Sequence, residues 1–117
     1  MFIKETGEEL LNLLDKIKYK TVIVEGKKDR NILLSFDFTK IITINHGLYE
    51  TAEEISKTNR EIIVLTDFDK EGNLIARKLT LFLQSFNCKV DIITRKKIGL
   101  YFAKLRIKTM EELKILR

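Results

Sequence analysis

Apolar residues recur along this chain in two rhythms that alternate from end to end. Leu10, Leu11, Leu14 and Ile17 fall on one stripe of a helix over residues 7–18. The run TVIVEG (21–26) is almost wholly apolar until it stops at Gly26, the pattern of a strand covered on both faces. Residues 27–36 then read as a short helix with Ile32, Leu33 and Phe36 inward. The cycle repeats with a strand KIITIN (40–45) closed by His46-Gly47, and a polar helix over 51–58. In that helix Thr51 and Glu54 have capping-box spacing. EIIVLTD (61–67) is a third strand, followed by a helix over 70–86 that buries Leu74, Ile75, Leu79, Phe82 and Leu83. KVDIIT (89–94) reads as a fourth strand, residues 98–106 have a weak helical pattern, and Thr109 with Glu112 announces a last helix over 110–116.

Strands alternating with helices imply an α/β fold: a four-stranded parallel sheet with helices on both faces, joined by right-handed crossovers. Ligands of such three-layer folds sit beyond the carboxyl ends of the strands, where the strand order reverses. An order 2-1-3-4 would make the first and third strands neighbours at that point. The segments to inspect are therefore 25–30, 45–48, 66–72 and 94–97.

Composition narrows the chemistry. The 117 residues suit a single domain, with a core over about 20–95 and an extension over 95–117. One cysteine, Cys88, excludes a disulfide framework and a cysteine-rich zinc site, and one histidine, His46, argues against a histidine-ligated metal. No apolar run is long enough for a membrane span, and the mixed, acidic start MFIKETGEEL does not resemble a signal peptide, so a cytoplasmic protein is expected. The net charge of +5 is uneven: residues 89–117 hold 9 basic and 3 acidic side chains, leaving 13 basic and 14 acidic before them. The C-terminal quarter is a candidate polyanion-facing surface, or simply a solvated lysine-rich one.

Carboxylates concentrate at the strand ends. Glu25 follows the first strand; Asp67, Asp69 and Glu71 follow the third. If the two strands are neighbours, these groups can converge, and converging carboxylates repel unless a cation is present. Oxygen ligands without His or Cys suit Mg²⁺, or Mn²⁺, and such an ion offsets charge on phosphate oxygens. Asp69 could equally cap the helix over 70–86, with Glu71 favouring its dipole. Glu25 has no such capping task, although it could merely pair with a lysine. Gly26, Lys27, Lys28 and Arg30 flank Glu25, and Lys70 flanks Asp69; these could hold a phosphate backbone, as could Arg95, Lys96 and Lys97. Asn45, His46 and Gly47, closing the second strand, could touch a phosphate or form a plain turn. Phe68 reads as an anchor of its loop, and Cys88 as a small buried residue.

The ordered set V-E-G-K (24–27) and T-D-F-D-K-E-G (66–72) resembles the Toprim domain of primases, topoisomerases, OLD-family nucleases and the ribonuclease that matures 5S ribosomal RNA. The likeness spans about residues 20–95. It implies a Rossmann-like Toprim fold, with Glu25 as the general acid or base, Asp67 and Asp69 as the Mg²⁺-binding pair, and Glu71 as the further acidic position. Phe68 stands where many members have proline. The chain offers no room for a topoisomerase's tyrosine domain or a primase's zinc module. The expectation is therefore Mg²⁺-dependent chemistry on a nucleic-acid phosphodiester: a small nuclease acting on structured RNA, or on DNA, with a protein partner conceivable for specificity. The alternatives are a non-catalytic Mg²⁺-dependent nucleic-acid-binding module, or the Toprim subunit of a larger complex. A phosphoaspartyl receiver would want its acidic pair after the first strand and one acceptor aspartate after the third. A haloacid-dehalogenase-like phosphatase would carry DxD after its first strand.

Overall fold

In the computed structural model, which describes residues 2–117, four parallel strands form one sheet: β1 (Thr21–Val24), β2 (Lys40–Thr43), β3 (Glu61–Val64) and β4 (Lys89–Val90). Their order is β2-β1-β3-β4, so the two central strands are neighbours and the chain reverses between them. The register sets Val22 beside both Ile41 and Ile63, and Ile62 beside Val90. Helices α1 (Phe2–Ile17), α2 (Lys27–Ser35), α3 (Leu48–Ser56), α4 (Lys70–Ser85) and α5 (Ile92–Leu105) follow the alternation, and a 3₁₀ helix over Met110–Leu116 ends the chain.

Side chains on a strand alternate between faces, so a continuous apolar run feeds two cores. Val22, Val24, Ile63 and Leu65 pack with Leu10, Leu14 and Ile17 of α1, Leu33 of α2, and Ile98 and Phe102 of α5. Met110 and Leu113 of the 3₁₀ helix join that core. Ile23, Ile62 and Val64 face the other way, against Ala52 and Ile55 of α3 and Ala76, Leu79 and Leu83 of α4. The result is the three-layer α/β arrangement expected from the alternation. No helix is long and apolar enough to cross a membrane.

Several boundaries differ from the sequence reading for local reasons. Helix α3 starts at Leu48 with Gly47 as its N-cap, so Thr51 is buried inside the helix, its hydroxyl donating to His46 O at 3.5 Å, and does not cap it. The fourth strand has two residues, because Asp91 caps α5: its carboxylate accepts from Thr94 N (3.0 Å) and Thr94 Oγ1 (2.6 Å). That cap overrides the β-preference of Ile92 and Ile93, which lie exposed on the helix. Leu74 is 44% exposed; Gly72 and Ala76 instead turn inward, where small side chains let α4 approach the sheet. The Thr109–Glu112 capping box forms as read, on a 3₁₀ rather than an α-helix.

Candidate metal centre

At the carboxyl edge of the sheet, β1 runs into Glu25 and then α2, whose N-cap, Gly26, has no side chain to cap it. Asp29, in the first turn of α2, is buried and its carboxylate is drawn back toward the Gly26 N–H. At the end of β3, Thr66 is fully buried and its hydroxyl donates to Gly72 O at 2.7 Å. This bond folds the 66–72 turn onto the start of α4. A Cβ at Gly72 would lie 2.1 Å from Asp67 O, so glycine is what permits the approach. The Asp67 N–H donates to Glu25 Oε2 (3.1 Å), and Asp67 Oδ1 accepts from Met110 N (2.8 Å). Asp69 is the N-cap of α4, accepting from Gly72 N at 2.7 Å.

Among the described residues, Glu25, Asp29 and Asp67 bring one carboxylate oxygen each to within 4.8 Å of one another. Burial pushes the Asp29 carboxyl up to about 6, helped by the negative charges of Asp67 and Glu111. Burial likewise pushes Glu25 above the usual range; the Asp67 N–H pulls it back, and the Asp67 and Asp29 charges raise it further. Upward shifts of this origin mean that burial and mutual repulsion make the anionic forms costly. An oxygen-only, half-buried set of mutually repelling carboxylates fits a hard divalent cation such as Mg²⁺.

Arg95, expected to meet phosphate, instead turns inward. Its Nη1 donates to Val64 O and Thr66 O (3.0 Å each), and its Nη2 donates to Asp67 O (3.2 Å) and Asn73 Oδ1 (3.1 Å). The guanidinium lies 4.4 Å from the centre of the Phe68 ring. Phe68 does anchor its loop: the ring packs on Phe102, 4.7 Å between centroids, and its N–H donates to Lys108 O at 2.6 Å. Burial lowers the Arg95 pKa to about 10, against the upward pull of Glu25 and Asp67, so it stays cationic at neutral pH.

The Toprim domain profile matches residues 20–105. The chain belongs to the Toprim domain family. It is similar to UPF0292 proteins of Methanosarcina acetivorans (36% identity over 113 residues, 93% of this chain and 78% of that one) and Thermococcus gammatolerans (33% over 112 residues, 93% and 84%). A solved structure of a protein from Aquifex aeolicus superposes with a TM-score of 0.74 at 25% identity, covering 90% of this chain and 95% of that one. Toprim membership points, at a general level, to metal-dependent nucleic-acid chemistry, and the acidic cluster accords with divalent-metal binding.

Within this Toprim fold the other sequence-selected residues divide by position. Lys27, Lys28 and Arg30 are exposed on α2 next to the cluster, and Lys70 and Glu71 are exposed at the start of α4. Neither Glu71 nor Asp69 belongs to the three-carboxylate group. Asn45, His46 and Gly47 are exposed beyond β2, with Asn45 Oδ1 accepting from Thr43 Oγ1 at 3.1 Å. Lys96 and Lys97 are exposed on α5, Lys97 in a groove between α1 and α5 that Lys16 and Lys104 also line. Sequence reasoning missed Asp29. Its signal was available: the third residue after an N-cap glycine lies in the helix's first turn, beside the carboxyl end of β1.

Proposed function

We propose that this protein is a Mg²⁺-dependent nuclease that acts on a phosphodiester of structured RNA, with DNA as the second choice of substrate. The observation that carries this reading is the convergence of Glu25, Asp29 and Asp67 at the carboxyl ends of β1 and β3 in a Toprim chain. Of these, Asp29 and Asp67 would hold the ion. When bound, Mg²⁺ offsets negative charge on the phosphate oxygens. Glu25, beside them, exchanges a proton with the attacking water or the leaving oxygen. Lys27, Lys28 and Arg30, with Lys70, are exposed in the helix starts that follow β1 and β3 and would hold the phosphate backbone, with Lys96 and Lys97 extending the basic surface. Asp69 fixes the turn by capping α4.

The test is a cleavage assay on end-labelled RNA hairpins, RNA single strands and DNA duplexes, with Mg²⁺ or EDTA, for the wild type and Glu25→Gln. Mg²⁺-dependent cutting of one substrate class, lost in the variant, is the expected result. Wild-type-like cutting by Glu25→Gln would remove Glu25 from the chemistry. Retention of a nucleic acid without cutting would replace the nuclease with a binding module.

A further inference from the structure

Of the three cations in the 95–97 run, Lys96 and Lys97 are exposed, whereas Arg95 is turned under the loop that leaves β3. Both of its terminal nitrogens are engaged twice, and their four acceptors come from Val64, Thr66, Asp67 and Asn73. These residues span the last position of β3, the turn and the first turn of α4. Where a strand ends its carbonyls lose their ladder partners, and buried carbonyls need a donor from elsewhere. Arg95 supplies it from α5, and the Phe68 ring fixes the plane of the guanidinium. Gly99, one turn further along α5, faces that ring; a Cβ there would lie 3.0 Å from it.

We propose that Arg95 is a positioning residue for the metal centre: its planar fork holds the 64–73 turn so that the Asp67 carboxylate stays beside Glu25 and Asp29. The inference rests on the ion-binding reading above. Asp67 is gripped from two sides, its carbonyl by Arg95 and its carboxylate by the Met110 N–H. Its own N–H meets Glu25 Oε2, so a shift of this turn would move two of the three carboxylates relative to each other. A lysine at position 95 would keep the charge but not the fork, because one ammonium cannot serve four acceptors spread over ten residues in the same plane.

The experiment compares wild type with Arg95→Met, Arg95→Lys, Asn73→Ala, Asn73→Asp and, as a control that removes an exposed cation from the same helix, Lys104→Met. Mn²⁺ affinity is read from the free-ion paramagnetic resonance signal, the melting midpoint from calorimetry, and exchange of the Asp67 and Met110 amides from NMR in metal-free protein. Both Arg95 variants are expected to weaken Mn²⁺ binding by about 10–100-fold, the range for groups that orient metal ligands. They should also expose the two amides to exchange while the β1 amides stay protected. Asn73→Ala leaves Arg95 in place but removes one of its four acceptors together with the Asn73 Nδ2 bond to Phe68 O (3.2 Å), so it should give a smaller loss in a folded protein even if the Arg95 variants unfold, while Asn73→Asp, which keeps the acceptor and loses only the second bond, should retain more of the affinity. Lys104→Met should leave affinity unchanged. Wild-type affinity in Arg95→Lys would overturn the fork in favour of charge alone. Unchanged affinity and exchange in Asn73→Ala, should the Arg95 variants not fold, would overturn positioning altogether. Wild type that fails to bind Mn²⁺, with the Asp67 amide still released in Arg95→Lys, would overturn the metal reading and leave the fork's hold on the turn standing.

Discussion

Two acidic turns leave the centre of the sheet, and they use their carboxylates differently. After β1, Glu25 and Asp29 both face the shared cluster. After β3, Asp67 faces it while Asp69 is bonded to its own helix through Gly72 N. The difference lies in the N-cap. At α2 that position is Gly26, which brings no side-chain oxygen, and the acidic residue stands three positions later, at Asp29, within reach of the cluster. At α4 the N-cap is Asp69 itself. Two aspartates two residues apart look equivalent in a sequence, but the backbone amides of a helix start claim one of them.

The comparison breaks most directly at the cluster. Glu25→Gln should lower Mg²⁺-dependent cleavage by about 10²–10⁴-fold, the usual worth of one positioned acid or base, and Asp67→Asn should lower it by weakening ion binding. Single-turnover rates on the preferred substrate would show it. A variant that lost only affinity for the nucleic acid would shift the role of its residue from chemistry to binding.

Next in size is Gly72→Ala. The added methyl would collide with Asp67 O, so the turn must move away from α4. A loss of about 1–3 kcal/mol is expected from such overpacking, with Mn²⁺ affinity falling in parallel. Urea unfolding and ion titration of the same sample would check both. A stability loss with unchanged affinity would mean that the Asp67 carboxylate does not depend on this approach.

The division between Asp67 and Asp69 is sharpened by paired substitutions at Asp69. Asp69→Ala should cost about 1 kcal/mol of stability through the lost cap, while Asp69→Asn, which still accepts from Gly72 N, should cost little. Asn at this position should also keep ion affinity. A large drop in affinity for Asp69→Asn would return Asp69 to the ligand set.

The last effect concerns Asp29 and carries a sign. Its carboxyl is raised from 3.8 to about 6 in the folded chain. The folded state therefore binds the proton more tightly than the unfolded state, and metal-free stability falls as pH rises across that interval. Asp29→Asn should thus gain stability over wild type in EDTA as pH rises from 3.8 toward about 6, and keep the gain above it. Saturating Mg²⁺ at neutral pH should reverse the order, because the ion stabilises only a chain that binds it. Melting midpoints across pH, with and without Mg²⁺, would test this; parallel curves for the two proteins would show that Asp29 faces no unbalanced charge.

Much of this molecule was legible because its signals are local. VIV and IIVL read as central strands since both of their faces are covered; Glu25 follows the first directly and Asp67 follows the second after Thr66, where the parallel fold puts its ligands. The Thr109–Glu112 box was visible for the same reason: cap and partner lie within one turn. Arg95 was not legible, because Arg95-Lys96-Lys97 is a uniform basic run, and its inward member is selected by carbonyls about thirty residues away, at Val64, Thr66 and Asp67. Asp29 was hidden among Lys27, Lys28 and Arg30, whose charges describe an exposed helix start.

The sequence by itself determined the alternation of elements, the apolar strands, and the placement of Glu25 and Asp67 at strand ends, all consequences of short-range periodicity and sterics. Only the tertiary structure decided that Asp29 joins them, that Asp69 caps α4, and that Arg95 holds the turn from α5. Those choices depend on which backbone donors and acceptors the packed helices leave without partners. That competition among groups distant in sequence has no outcome until the layers close.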